Sequence, residues 1–167
     1  MLELSEFEEM YLKRIFEAHF AQPDAIVKTT QLAEMMSVTP ASTTEMIQRL
    51  ASQDYLTYIP YKGCRLTSSG FKYASRIKRR EELLKILLRD VIRFEGDVDS
   101  AACNLEHNIN SELEVSIDRM LGYPERNKDG NLIPTVDRDL IISEANTLLP
   151  ISASVSYTHL TLPTRLS

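Results

Sequence analysis

Apolar residues at helical spacing alternate along this chain with short polar breaks, and one stretch switches to a strand-like pattern. Phe7, Met10, Tyr11, Ile15 and Phe20 keep a period near that of an α-helix. Ser5 and Glu8 form a capping box at its start, and Pro23-Asp24 breaks it. Thr30 then caps a short helix from Gln31 to Met36, with Leu32, Ala33 and Met36 facing inward. Ser37-Val38-Thr39 reads as a tight turn. Thr39 caps a further helix with Pro40 at its first position, where the missing N–H costs nothing, running to about Gln53. Thr43, Met46, Ile47 and Leu50 make its apolar face, and Ala41, Ser42, Glu45 and Arg49 its polar one. Two short helices around a three-residue turn form a helix-turn-helix.

The pattern then changes. Tyr55 to Ile59 is rich in strand formers, Pro60 to Gly63 is a turn, and Cys64 to Thr67 is a second strand. A hairpin directly after a recognition helix is the wing of a winged helix. Ser68-Ser69-Gly70 opens a long helix, about Ser69 to Arg93, striped by Phe71, Ala74, Ile77, Leu84, Leu87, Leu88 and Val91. Asp97 or Asp99 starts the next helix. Ser111 caps another, Glu112 to Leu121, with Leu113, Val115, Ile117, Met120 and Leu121 apolar, which Gly122-Tyr123-Pro124 stops. A loop runs on to Ile133-Pro134, and Leu140-Ile141-Ile142 begins a further element. The expected fold is mainly α with a small β wing: a winged helix-turn-helix over 1–73, then an all-helical dimerisation domain over 74–145. Residues 146–154 read as the end of the natural sequence, which continues or is cut there. From about Val155 the chain looks like the translation of a sequencing adapter, expected to be disordered, so His159 is set aside as a ligand.

Charge sharpens this picture. The net charge of −5 is segregated: residues 1–59 carry 4 Lys/Arg and 9 Asp/Glu, residues 60–93 carry 10 and 3, and residues 94–150 carry 4 and 12. A basic middle between acidic flanks is consistent with a nucleic-acid face, and equally with a solvated basic helix. No apolar run reaches the ~18 residues of a membrane span. The N-terminus is acidic, without the basic region of a signal peptide. With two cysteines and no disulfide framework, a cytoplasmic protein is expected.

The candidate chemistry lies in Cys103-Asn104-Leu105-Glu106-His107. On a helix, positions i, i+3 and i+4 share a face, so a thiolate, a carboxylate and an imidazole can converge on one point. That donor set suits a borderline transition metal better than calcium or magnesium, and it wants a fourth ligand from elsewhere. Singly, each has an ordinary role: Cys103 as a small buried hydrophobe, Glu106 and His107 as a surface pair. Cys64 is expected to be exposed beside the wing tip, with a redox role as a minor alternative.

These residues carry a resemblance. Glu9-Met10-Tyr11-Leu12, the helix-turn-helix with Leu32-Ala33-Glu34, Leu66 to Gly70, and Cys103-x-x-Glu106-His107 occur in that order. The ordered set resembles the diphtheria toxin repressor family of metal-dependent regulators, iron-dependent and manganese-transport types included, over about residues 3–142. The resemblance implies a regulatory metal site at Met10, Cys103, Glu106 and His107. Sulfur ligands there imply Fe(II) by preference, with Mn(II) as the alternative. It also implies an ancillary site, whose positions fall on Glu81, Asp99 and Lys85; Glu81 and Asp99 could bind metal through oxygen, and Lys85 argues against it. The family's usual Cys-Pro-His before the glycine of the later loop is replaced by Asn127-Lys128-Asp129.

The function so implied is a homodimeric repressor that binds a palindromic double-stranded operator when metal clamps its two domains. It is neither an enzyme nor a membrane protein. Candidates for the DNA contact are Ser37, Thr39, Ala41, Ser42 and Thr44 at the recognition helix, with Thr30, Lys62 and Arg65 holding phosphates. The alternative is a winged-helix regulator answering a small molecule or a redox signal, with no metal switch. No phosphate loop or nucleophile motif supports an enzyme.

Overall fold

The computed structural model describes residues 4–21 and 26–136. The element expected at Leu140 to Ile142 and the whole tail lie outside them. Helix α1 (Glu6–Ala21) is followed by α2 (Thr29–Met36), α3 (Pro40–Ser52), β1 (Leu56–Ile59), β2 (Gly63–Leu66) and α4 (Ser68–Ile86). A π-helical turn, Leu87–Ile92, extends α4; then come α5 (Val98–Leu105), a 3-10 turn (Glu106–Asn108) and α6 (Ser111–Met120).

Local chemistry places most of the boundaries. The capping box closes as expected: Ser5 N–H donates to Glu8 Oε2 at 2.8 Å, and Glu8 N–H to Ser5 Oγ at 3.4 Å. Thr39 Oγ1 accepts from Ser42 N–H at 3.2 Å, with Pro40 opening α3. Ser37 adopts a left-handed φ of 55° and ends α2, so the turn is three residues long. Two expected caps move by one or two positions. Thr30 lies within the first turn of α2, after Lys28, and Asn110 rather than Ser111 caps α6 by accepting from Leu113 N–H at 2.9 Å. Asp97, not Asp99, caps α5.

The strands pair antiparallel in the register Leu56 with Leu66 and Ile59 with Gly63. A contact invisible in the sequence extends this hairpin: Val27 exchanges two backbone hydrogen bonds with Cys64, each 2.9 Å. Cys64 is therefore pinned between strands and fully buried rather than exposed at the wing tip, and burial pushes its thiol up to about 12. A thiol so held has almost no thiolate at neutral pH and no access to reagent, which removes the redox role. Native protein is expected to lose one thiol per chain to iodoacetamide at pH 8, at Cys103, and a second only after unfolding. Fast loss of both, read by mass spectrometry, would contradict this burial.

Two cores form among the described residues. Tyr11, Leu12, Ile15, Leu32, Ile47, Leu50, Leu56 and Ala74 belong to the first; Leu83, Leu84, Leu88, Ala102, Ile109 and Ile117 to the second. Helix α4 enters both without a break, and the expected boundary at 73 falls within it. This explains why the expected stripe of α4 is only half right. Ala74, Ile77, Leu84 and Leu88 are buried, but Phe71 and Val91 are about half exposed, while Ser75, Arg79, Glu81 and Glu82 are buried. The helix is covered on more than one side, and its polar positions are inside because each finds a partner.

Those partners also answer the charge question. Arg76 and Arg80 pair with Glu114, Arg79 with Asp118, Lys78 with Glu17 and Glu81, and Lys85 with Glu81 and Asp99. Five of the ten Lys and Arg of residues 60–93 are thus paired with carboxylates within the fold, so the basic stretch of α4 is not a nucleic-acid face in itself; Lys62 and Arg65 of the wing lie outside these pairs.

Candidate metal centre

Residues 103–107 do not stay on one regular helix. Helix α5 ends at Leu105, and Glu106–Asn108 tightens into the 3-10 turn. The tightening turns Glu106 and His107 toward α1, at the seam between the two cores. Glu106 is completely buried, and the His107 side chain is only 2% exposed.

Helix α1 meets this turn with Glu9 and Lys13, one helical turn apart on the same face. His107 Nδ1 lies 2.5 Å from Glu9 Oε2, and Tyr73 O–H donates to the other Glu9 oxygen at 2.7 Å. Lys13 Nζ donates to Glu106 Oε1 at 2.5 Å and to Cys103 Sγ at 3.5 Å, and lies 3.7 Å from Glu81 Oε2. Four interactions thus tie the first helix to the second half of the chain.

Met10 does not join this cluster. It turns to the neighbouring face of α1 and lines an open cavity with Phe7, Arg14, Met35 and Met36. The sequence reading missed Glu9 and Lys13. The signal was there in their i, i+4 spacing on a helix otherwise read only for its apolar face.

The electrostatics follow from burial and charge. Desolvation lowers the basicity of both His107 and Lys13, but their carboxylate neighbours outweigh it. Glu106 and Glu9 raise His107 to about 9, and Glu106, Glu81 and Cys103 raise Lys13 above the ordinary lysine value. Burial raises Glu81, yet the surrounding lysines Lys78, Lys13 and Lys85 hold it down at about 2.

Buried Glu106 Oε2 has no hydrogen-bond partner; His107 Nε2 has none of good geometry and lies 3.2 Å from Glu106 Oε1; and Cys103 Sγ lies beside the lysine that holds Glu106. Unpartnered buried atoms of ligand type are rare and point to something they would bind. Glu9, holding Nδ1 of His107, leaves Nε2 as the coordinating atom, the usual way a carboxylate orients a ligating imidazole. As they stand, however, no three His, Cys, Asp or Glu side chains among the described residues converge closely enough to hold an ion. The donors fit a divalent metal in kind, and Lys13 stands among them. At the expected ancillary positions a lysine also intervenes: Lys85 Nζ lies 2.9 Å from Glu81 and 2.9 Å from Asp99.

The second surface of interest is the winged helix. Ser37, Thr39, Ala41 and Ser42 are exposed at the start of α3, and Thr44 is half-buried, donating to Pro40 O at 2.9 Å. Thr30 and Lys62 line one open cleft between α2 and the wing, together with Lys28, Thr29, Tyr58 and Tyr61. Lys28 and the fully exposed Tyr61 extend the set foreseen from sequence. Arg65 is exposed on β2.

Both halves of the chain match family models. Residues 3–64 match the N-terminal DNA-binding domain of iron-dependent repressors, and residues 67–135 match their metal-binding and dimerisation domain. An uncharacterized HTH-type transcriptional regulator of Methanocaldococcus jannaschii is 31% identical over 127 residues, 75% of this chain and 98% of that protein. The HTH-type transcriptional regulator MntR of Shouchella clausii is 29% identical over 120 residues, 72% of this chain and 82% of that protein. A solved manganese-dependent transcriptional repressor in complex with manganese superposes with a TM-score of 0.68 at 32% identity, covering 77% of this chain and 58% of that one. The chain thus spans under two thirds of the solved repressor.

Proposed function

Because the chain belongs to the iron-dependent repressor family, matching its DNA-binding domain and its metal-binding and dimerisation domain, we propose that it is a homodimeric repressor whose operator binding is switched by one divalent metal per chain. The observation that carries this reading is the seam itself. Glu106, His107 and Cys103 hang from the helical half, while the residues they meet, Glu9 and Lys13, sit on the first helix of the DNA-reading half. A metal held at Cys103, Glu106 and His107 would fix the angle between the halves. In a dimer that angle sets the distance between two recognition helices, which must match half-sites about 34 Å apart per helical turn of DNA. Met10 becomes the fourth ligand if its side chain swings across from the neighbouring face of α1.

The thiolate favours Fe(II) on softness. Mn(II) is the second reading, supported by the similarity to the manganese-bound repressor. With Lys85 already between Glu81 and Asp99, the ancillary pair is neutralised, and one metal per chain is the expected stoichiometry. The dimer is supported by an apolar groove of the helical half lined by Leu84, Leu87, Leu105, Leu113, Ile117 and Met120, three of which are about half exposed. Among the described residues no helix is long and apolar enough to cross a membrane.

The test is fluorescence anisotropy with palindromic operator candidates, under anaerobic conditions and at one fixed salt concentration, since phosphate contacts make affinity salt-dependent. Fe(II) or Mn(II) is expected to tighten binding about 5- to 150-fold over chelator, the usual range of an allosteric coupling. Cys103→Ala and His107→Ala should each remove that gain while circular dichroism stays native. Equal binding with metal and with chelator would rule the switch out.

A further inference from the structure

We propose that the Lys13 ammonium is a resident cation of the metal centre, which bridges the two halves without metal and which an incoming metal must displace. The proposal rests on the metal-site reading above and deepens it.

Lys13 is 1% exposed, on the helix of the DNA-reading half, yet every anionic or thiol group it touches belongs to the other half. Its amine donates to Glu106 at 2.5 Å and to Cys103 at 3.5 Å, and lies 3.7 Å from Glu81. Two of those three groups are proposed metal ligands. A lysine ammonium is a compact point charge with three donors and no acceptor. Placed among a carboxylate and a thiol, it satisfies them much as a metal would, but with one positive charge instead of two. It also accounts for the one-sided pairing of Glu106, whose Oε1 has the lysine while Oε2 has no partner. The metal cannot simply be added, because its charge and that of Lys13 would share one buried carboxylate. The amine must leave Glu106 for Glu81, already within ion-pair distance. The arrangement at the second lysine is of the same kind: Lys85 sits on Glu81 and Asp99. Of these two lysines, Lys13 is the one that touches proposed metal ligands of the regulatory site.

Two consequences follow. The metal-free chain already has a cross-domain tie, so metal changes the geometry of the seam rather than creating it. The lysine also sets a threshold, because metal affinity is lowered by the cost of displacing it.

The experiment compares wild type with Lys13→Gln, Lys13→Met and Lys13→Arg, measuring Mn(II) and Co(II) affinity by competition against a fluorescent chelator. It also records the thiolate-to-cobalt charge-transfer band that reports ligation by Cys103. Glutamine and methionine remove the charge in two different ways, so that one misfolded variant does not decide the matter. Arginine keeps the charge in a larger, planar group, so its metal affinity is expected to stay below that of the Gln and Met variants. The expected result is affinity at least tenfold tighter in the Gln and Met variants. Without metal both melt at a lower temperature than wild type, and saturating metal raises them more than it raises wild type. Equal or weaker affinity in variants that bind one metal with the cobalt–thiolate band overturns the displacement proposal and leaves the metal centre standing. Failure of wild type and variants alike to bind metal overturns the metal centre, and the proposal with it.

Discussion

Glu106→Ala is expected to lower the stability of the metal-free protein by about 3–5 kcal/mol, the usual cost of removing one partner from a buried ion pair. For a chain of this size that corresponds to a fall of roughly 6–20 °C in melting temperature. Glu106 is fully buried and Lys13 nearly so, and neither has water to fall back on. Deleting the carboxylate strands an ammonium whose remaining partners are a thiol at 3.5 Å and Glu81 at 3.7 Å. The same variant is expected to lose any metal response. The informative control is the double replacement Lys13→Met with Glu106→Leu. Apolar groups of similar volume in place of a buried pair are often neutral or stabilising, so the double variant should recover most of the loss without recovering metal binding. Thermal and urea unfolding of the three proteins checks this. A single-variant loss below about 1 kcal/mol would mean that Lys13 has a route to solvent absent from the structure.

The second large effect is expected at the wing, from Gly63→Ala. Gly63 sits at φ 133°, a region that side chains rarely enter, and a Cβ there would lie 2.1 Å from the backbone oxygen of Val27. Backbone cannot yield as a flexible side chain can. Relief requires Val27 to move and to give up its two hydrogen bonds with Cys64. Strain of about 1–3 kcal/mol and two lost hydrogen bonds at about 1 kcal/mol each give roughly 3–5 kcal/mol. The loss is local to the first core, so operator affinity should fall even when metal is saturating, while metal affinity stays near wild type. Chelator competition and anisotropy on one preparation separate the two. A variant with native operator binding would show that the hairpin does not depend on Val27.

The contrast between these two sites shows what kind of information each level carries. Caps, turns and apolar periods are local. Ser5 with Glu8, Thr39 with Pro40, and the left-handed Ser37 are neighbours in sequence, and their chemistry decides where helices start and stop. The winged helix-turn-helix and the helical second half were legible for that reason. So was the antiparallel wing, because its strands are adjacent and joined by a short turn.

Tertiary structure decided the rest. Charge segregation along the chain read equally as a DNA face or a solvated helix; folding brought Glu114, Asp118, Glu17 and Asp99 against α4 and paired most of its basic side chains. Cys64 looked exposed because its neighbours are polar turn residues, yet Val27, 37 positions earlier, covers it. Met10 fell on the expected ligand position, but the rotation of α1 against the second half presents Glu9 and Lys13 there instead. A helix carries several faces 100° apart, and its own sequence says which residues share a face, not which face meets a partner nearly a hundred residues away. That choice is made by packing the whole surface of α1 at once, with Tyr11, Leu12 and Ile15 buried in the first core and the adjoining polar face thereby turned onto Glu106 and His107.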